Sequence, residues 1–250
     1  MKDDSYAKYG AATGLISVVL MLVGFLIVTP APPDLDASAE EFSQYFIEEQ
    51  DAIRAAVLIV TLGLFAFTWF LGSLSQTLRV TAGNPRLPSI AFAGGVLGVA
   101  FLGITLTGIA TAAFRPDETS PEVTRAINDF ALLVAGPASA GLAALFGATA
   151  LVILRYRGGL AEWLGWLCAV TAVSQLLTLG VIFTDEGAFA ADGALGLIVP
   201  VLTFAVTVGA LSVSIMRLPP EGRGFMDRVS GAVTGAASGA AAGAAGKPPR

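Results

Sequence analysis

Six long apolar segments, separated by short polar ones, form the main pattern along the chain. The predicted spans, in order, are Gly10–Val28, Ile53–Gly72, Pro88–Ala113, Phe130–Leu154, Leu160–Glu186 and Leu195–Met216. Each has about the 20 residues that a helix needs to cross the ~30 Å hydrocarbon core of a bilayer. A backbone surrounded by lipid must satisfy its own hydrogen bonds, and a helix does so within one segment. The pattern therefore predicts an all-α fold, a polytopic membrane helix bundle with six transmembrane helices.

The polar segments divide the chain into three parts. Residues 1–9 form a short polar head, residues 10–217 a transmembrane domain with acidic outer loops, and residues 218–250 a Gly/Ala-rich tail. A signal peptide is the alternative for the first apolar run, but the run exceeds the usual h-region, which favours a retained span. In the tail, glycine recurs every fourth residue, at Gly231, Gly235, Gly239 and Gly243. This ridge permits either a close helix contact or a flexible linker, and the composition favours disorder.

The first polar loop contains a short amphipathic segment. Ser38 followed by Glu41 has the spacing of a capping box, which predicts a helix from about Ala39 to Glu49. Phe42 and Phe46 lie on its apolar side. We expect this side to lie on the bilayer surface, as in interfacial helices.

One polar stripe runs along the predicted fifth span. Thr171, Ser174, Gln175 and Thr178 are spaced i, i+3, i+4 and i+7, and Asp185 follows seven residues later. Lipid cannot hydrogen-bond an amide or a hydroxyl, so the stripe is predicted to face the interior of the bundle. There it forms either interhelical hydrogen bonds or contacts to a ligand, and Gln175 is the strongest candidate for a ligand contact because its amide has several bonds to satisfy.

The second span carries Arg54, Thr61 and Thr68 at intervals of seven residues. If this face also points inward, Arg54 meets an acid at the outer mouth of the bundle, with Asp51 as a local competitor for its guanidinium. The acids available there, which are also candidate ligand contacts together with Arg54, are Asp129, Asp185 and Glu186. A helix-end ion pair is the alternative interpretation of this cluster.

Small residues and repeated span ends suggest how the helices pair. The fourth span has a narrow small-residue face, made of Asp129, Gly136, Ala140 and Ala144. Spans two, four and six end in TLR, ILR and IMR, and each pair of spans encloses an acidic outer loop. These features suggest three helical hairpins of similar plan. Alternatively, basic flanks and glycine-rich spans merely imitate a repeat.

Composition places the chain among membrane proteins and removes several kinds of site. Of its 250 residues 55% are hydrophobic and 13% charged, against about 25% charged in soluble domains. Mean hydropathy is +0.76. The chain has no histidine, which excludes His-ligated haem and metal sites and His general bases. Its single cysteine, Cys168, excludes an intrachain disulfide. We expect no cofactor and no nucleic-acid partner.

Basic residues are distributed unequally between the two sides of the predicted bundle. Of the 14 lysines and arginines, three, Arg54, Arg115 and Arg125, share one side, which leaves eleven on the side of the termini. Cytoplasmic loops carry the excess of basic residues, so both termini are predicted to be cytoplasmic. Trp163 and Trp166 then lie at the inner interface, where amphipathic rings are favoured.

Several stretches of the chain resemble a known group of proteins. The segment GLISVVLMLVGFLIVTPAPPDLDASAEEFSQYFIEEQDAIRAAVLIVTLGLFAFTWFLGSLSQTLR, with AINDFALLVAGP and LAEWLGWLCAV, is similar to a family of bacterial six-span membrane proteins of unknown function. The similarity covers about Lys8 to Arg217. It implies six spans and a bacterial inner-membrane location. It implies no activity and transfers no functional residue.

Three classes of function are compatible with the sequence. The first is a non-enzymatic protein that binds or passes a small apolar or lipid-like molecule, with Gln175 and the outer polar cluster as contacts. The second is a structural or accessory subunit of a larger membrane complex, whose partner protein packs on small-residue faces. The third is an intramembrane enzyme that uses Asp129, Asp185 or Glu186 as acid or base. The spans contain no deeply placed ionisable residue, which disfavours proton pumps and voltage sensors.

Overall fold

The described parts of the chain, in a computed structural model, are helical and contain no strand. They comprise residues 3–28, 32–156, 159–184, 187–190 and 193–218. The α-helices are α1 (Asp3–Ile27), α2 (Ala39–Glu48), α3 (Gln50–Ala82), α4 (Arg86–Ala112), α5 (Pro121–Tyr156), α6 (Glu162–Leu177) and α7 (Val199–Arg217). Residues up to Met216 form one compact unit, and all but the first two residues of a second unit, Arg217–Arg250, lie outside the described residues. The predicted disorder of the tail therefore stays a prediction.

Six helical segments of the described chain are long and apolar enough to cross a membrane. They correspond to the six predicted spans, so the predicted all-α membrane bundle is confirmed. Two of the helices are longer than predicted, with 33 residues in α3 and 36 in α5. At 1.5 Å per residue each extends to about 50 Å, well beyond a hydrocarbon core of ~30 Å. The extra turns are polar, and α3 ends only where Gly83 adopts φ 65°.

The sequence predicted the fifth span as one continuous helix, and the structure shows that it is not. The α-helix ends at Leu177 and tightens into a 3-10 turn over Thr178–Ile182. Threonine, glycine and β-branched residues make up most of this turn, and all of them are weaker helix formers than leucine or alanine. Gly180 lies directly under the ring of Phe189, where an added Cβ would approach the ring Cδ1 to 2.8 Å. A π-helical turn, Ala194–Ile198, then leads into α7.

Helix α5 is the most enclosed span, with 67% of its most apolar window buried against 22–39% for the others. It packs against α4 through glycine. A Cβ added to Gly94 would lie 2.6 Å from the carbonyl oxygen of Gly141, and one added to Gly141 would lie 2.7 Å from the amide nitrogen of Gly98. The two backbones therefore touch, as in small-xxx-small contacts of membrane helices.

The small-residue face predicted for α5 is only partly the one that packs. Gly136 is buried, but Ala140 and Asp129 are exposed. Small residues occur on several sides of α5, so their spacing alone does not determine which side is in contact. The side of α5 that packs is the one opposite the glycines of α4, because there the two helix backbones approach closely.

Consecutive spans pack together, and α7 joins the pairs. Helix α1 lies against α3, where a Cβ on Gly63 would approach Met21 Cγ to 2.9 Å. Phe204 of α7 has its ring centroid 5.2 Å from that of Phe67 on α3 and 5.9 Å from that of Phe146 on α5. Helices α4 and α5 form the second pair, and α5 also packs against α6. Side-chain hydrogen bonds join α6 to α7. A plan of three separate hairpins therefore stays a prediction.

Helix α2 covers one end of the bundle, which we call the α2 end. Ser38 caps it, because its hydroxyl accepts a hydrogen bond from the Glu41 amide at 3.2 Å. Phe42 and Phe46 are almost fully buried against Ala112 and neighbouring residues at the ends of α3 and α4. The expectation that this apolar side lies on the bilayer surface is therefore wrong. The ends of the long helices offer a drier site than the interface does.

The contact of α4 with α5 predicts a clear difference between two glycines of one helix. Gly94→Ala should lower the free energy of unfolding by about 1–3 kcal/mol, because its Cβ meets backbone that cannot move aside. Gly103→Ala meets no atom within 4 Å and should be neutral or stabilising by up to about 1 kcal/mol. Unfolding in mixed detergent micelles measures both. Equal effects of the two substitutions would contradict the backbone contact.

Candidate functional site

The polar stripe of α6 faces the bundle interior, as predicted. Its four residues Thr171, Ser174, Gln175 and Thr178 each expose 6% or less of their surface. The opposite face of α6 is apolar and exposed, at Val170 and elsewhere. The fifth predicted member, Asp185, and its neighbour Glu186 lie outside the described residues.

Helix α7 provides most partners for this stripe. The hydroxyl oxygens of Thr171 and Thr207 lie 2.6 Å apart, and those of Ser174 and Thr203 lie 2.8 Å apart. The Gln175 side-chain amide donates to the Pro200 carbonyl at 3.3 Å.

These bonds occupy the stripe with protein partners. Thr178 donates to the Ser174 carbonyl of its own helix at 3.3 Å. The arrangement is what interhelical hydrogen bonding requires, and such bonds contribute about 0.6 kcal/mol each in membrane proteins. A role for Thr171, Ser174, Gln175 or Thr178 as ligand contacts stays a prediction.

Arg54 holds the end of α4 through backbone carbonyls. Its Nε donates to the carbonyl of Ala113 at 3.1 Å and its Nη2 to that of Phe114 at 2.6 Å. Gln50 adds a second donor to the Ala113 carbonyl at 3.1 Å. The last carbonyls of a helix lack partners within the helix and carry partial negative charge, so a guanidinium is a favourable partner for them. The distance from Arg54 Nη1 to Asp51 Oδ1 is 3.9 Å, at the limit of an ion pair.

The expected ion pair of Arg54 with Asp129 does not form. Asp129 is exposed on α5 and makes no ion pair with any described residue. The inward orientation expected for Thr61 and Thr68 is also wrong, since both are exposed. Each donates its hydroxyl to a carbonyl four residues earlier in α3, at 2.7 and 2.9 Å. A threonine that bonds its own helix in this way has no need of an interior position.

Arg125 holds the first loop by the same means. Its two terminal nitrogens donate to the carbonyls of Ala37 and Leu35 at 2.7 and 3.1 Å, and its guanidinium lies 5.9 Å from the centroid of the Phe42 ring. Beside it, burial and then the Glu49 carboxylate raise the pKa of Tyr45 to about 12, so this phenol is neutral at physiological pH. The α2 end is thus fastened by arginine–carbonyl contacts.

A lateral groove opens between α3 and α4 on the outside of the bundle. Its volume is about 450 Å³. Its walls are apolar or carry small and hydroxyl side chains, namely Val57, Thr61 and Leu64 of α3 and Ala100, Gly103, Ile104, Leu106, Thr107 and Ala110 of α4. None of the described residues that line it is charged.

The groove exists because α3 and α4 are fastened to each other on both sides of it. Toward one end, Gly95 packs on the side chain of Leu71, where an added Cβ would lie 2.6 Å from Leu71 Cδ2. Toward the α2 end, Arg54 joins α3 to the last carbonyls of α4. Between these points α4 presents Ala100, Gly103 and Ala110 as well as Ile104 and Leu106, and around the Cβ position of Gly103 there is open space.

A second groove continues the first toward the α2 end. It has a volume of about 380 Å³ and shares Thr107 and Ala110 with the first. Its other lining residues are Thr111, Phe114, Arg115 and Thr119. The two together form one long groove along the outside of α4, which is largely apolar in its first part, is lined by threonine hydroxyls toward the α2 end and ends at Arg115. The sequence carries a partial signal for it, since Thr107 and Thr111 repeat at i and i+4 on α4.

The hold of Arg54 on α4 can be measured against Asp129. Arg54→Ala should cost about 1–2 kcal/mol of unfolding free energy, because two carbonyls lose charged donors at a partly exposed site. Asp129→Ala should stay within about 0.5 kcal/mol. The double-mutant cycle in detergent should give a coupling near zero. A coupling energy above about 1 kcal/mol would instead show that Arg54 and Asp129 form an ion pair.

The chain matches no protein-family model, no curated protein and no solved structure. Its resemblance to bacterial six-span membrane proteins of unknown function therefore stays a prediction. The candidate site is defined by its own geometry, an apolar groove on the flank of the bundle with a basic residue at one end.

Proposed function

We propose that this chain is a non-enzymatic integral membrane protein that binds the apolar chain of a lipid-like molecule in the groove between α3 and α4. The observation that carries the proposal is the groove itself. It is fastened at both ends, lined by apolar and small side chains, and open to the side where lipid surrounds the bundle.

The dimensions of the groove suit one chain of a lipid. Small-molecule sites usually have volumes of roughly 300–1,000 Å³, and the two connected grooves measure about 450 and 380 Å³. From Ala100 to Thr111, α4 rises about 16 Å at 1.5 Å per residue. This is close to half of a ~30 Å hydrocarbon core, and therefore to the depth of one leaflet.

The polar atoms of the groove are compatible with an apolar occupant. Thr61 and Thr107 donate to carbonyls of their own helices at 2.7 and 2.8 Å, so neither hydroxyl needs a partner from the ligand. The α6 stripe, in contrast, is already filled by α7. These facts favour binding at the flank of the bundle over passage through its centre.

We infer that the protein lies in a bacterial inner membrane with both termini in the cytoplasm. The eleven-to-three distribution of basic residues supports this orientation. Trp163 and Trp166, at the beginning of α6, expose 57% and 61% of their surface, as rings at a membrane interface do. The α2 end then faces the outside of the cell, and the groove opens into the outer leaflet.

This orientation predicts opposite labelling of two exposed loop positions. In a Cys168→Ala background, Ser120→Cys should react with an impermeant maleimide added to intact cells, and Asn84→Cys should react only after permeabilisation. Both positions are exposed in the structure, so burial does not hinder either reaction. The reverse labelling pattern would show that both termini lie outside the cytoplasm and would contradict the proposed orientation.

Filling the groove should prevent chain binding. A diacylglycerol with a diazirine in one acyl chain tests the groove without any headgroup charge, and crosslinks should map to residues 100–110. Gly103→Leu should reduce this crosslinking about tenfold, which corresponds to about 1.4 kcal/mol.

The matched control is Gly72→Leu on α3, which also has open space around its Cβ position but lies outside the groove. It should leave the crosslinking unchanged. Labelling spread evenly over the exposed helices, or equal loss in both variants, would contradict a specific groove.

A further inference from the structure

An exposed pair of opposite charges lies at the α2 end of the groove. Arg115 Nη1 donates to Glu118 Oε2 at 3.3 Å, and the two side chains are 65% and 70% exposed. Arg115 also lines the second groove, so the pair is placed where a molecule lying in the groove would leave the hydrocarbon.

The pair retains most of its hydrogen-bonding capacity. A guanidinium has five N–H donors and a carboxylate has two acceptor oxygens, and this pair uses one donor and one oxygen. The guanidinium of Arg115 lies 5.5 Å from the centroid of the Phe114 ring, which holds it beside the groove. Because exposed ion pairs add little to stability, its opening toward a ligand costs little.

The charges around the pair select the net charge of a ligand. The segment from Arg115 to Glu122 contains one basic residue and three exposed acids, Asp117, Glu118 and Glu122. Arg54 adds a second cation on the Phe114 carbonyl, with Asp51 3.9 Å from it, so acids still outnumber bases. This surplus of negative charge repels a ligand with net negative charge. A ligand with both a phosphate and a cation matches the pair better than either charge alone.

We propose that the occupant is a phospholipid with a phosphate and a primary ammonium in its headgroup, and this proposal rests on the proposed binding of an apolar chain in the groove. One acyl chain lies in the groove between α3 and α4, the phosphate accepts hydrogen bonds from Arg115, and the ammonium donates to Glu118. A planar guanidinium is well suited to bind two phosphate oxygens at once.

The same geometry disfavours the two common alternatives. A quaternary ammonium carries a positive charge but has no N–H to donate to Glu118, so it gains only the Coulombic attraction. A glycerol headgroup has no ammonium, so the lipid keeps a net negative charge and is repelled by the acids of the loop. The expected order of binding is therefore phosphatidylethanolamine, then phosphatidylcholine, then phosphatidylglycerol.

Native mass spectrometry of the full chain in detergent tests this order. An equimolar mixture of the three lipids with identical acyl chains should give bound phosphatidylethanolamine about tenfold above phosphatidylglycerol. Glu118→Gln should remove the preference for the ethanolamine lipid. Arg115→Gln should reduce the binding of all three lipids. Neither variant should change the melting temperature, since both side chains are exposed.

Matched controls lie at the opposite end of the bundle. Arg86→Gln and Glu162→Gln remove an exposed arginine and an exposed acid there, and neither should affect lipid selection. If they weaken binding as much as the substitutions at Arg115 and Glu118 do, the lipids are annular and the proposal fails. A preference for phosphatidylglycerol in the wild type also overturns it.

The headgroup assignment and the groove fail in distinguishable ways. If the uncharged diacylglycerol still labels residues 100–110 while Arg115→Gln and Glu118→Gln leave lipid selection unchanged, chain binding stands and the headgroup assignment is wrong. If the diacylglycerol does not label the groove in the wild type, the proposed function itself is wrong.

Discussion

The backbone contact between α4 and α5 is the constraint on which the groove depends. Gly94 and Gly98 allow α4 to touch Gly141, so the position of α4 is set by a surface without side chains that could adapt. With α4 held in this way, its other face is joined to α3 where Leu71 reaches Gly95 and where Arg54 reaches the carbonyls at the end of α4. The space between these two contacts remains open beside Ala100, Gly103 and Ala110, whose side chains are too small to fill it.

Hydroxyl groups that donate to a carbonyl of their own helix occur on both buried and exposed faces of this bundle, and Thr149 is a fully buried example. Thr61, Thr68 and Thr107 donate to their own helices and lie on exposed faces. Gln175 cannot satisfy a primary amide on its own helix, and it is buried with its amide directed to α7. A polar stripe therefore indicates an interior face reliably when it contains an amide, and much less reliably when it contains only threonine.

The sequence predicted the six spans, because the length and hydrophobicity of a segment determine whether it can cross a bilayer. It also predicted the buried stripe of α6, because lipid cannot hydrogen-bond polar side chains. It did not predict that α6 would end at Leu177, since this depends on how the following loop folds back and places Phe189 on Gly180, which hydropathy and length do not encode. It also offered Asp129 as a partner for Arg54, whereas the guanidinium binds backbone carbonyls at the end of α4, which a comparison of side chains does not reveal. The groove was missed for a similar reason, because it arises where two helices fail to touch.

Selectivity for a ligand cannot arise inside a groove of this kind. Its walls offer methyl groups and hydroxyls already bonded to their own helices, and one acyl chain fits them about as well as another. Discrimination between ligands must come from the end of the groove, where hydrocarbon meets water and charged side chains remain hydrated. Of the three arginines there, Arg54 and Arg125 are committed to backbone carbonyls. Arg115 alone of these combines an exposed guanidinium with a place in the wall of the groove, and the proposed selection between lipids therefore rests on it.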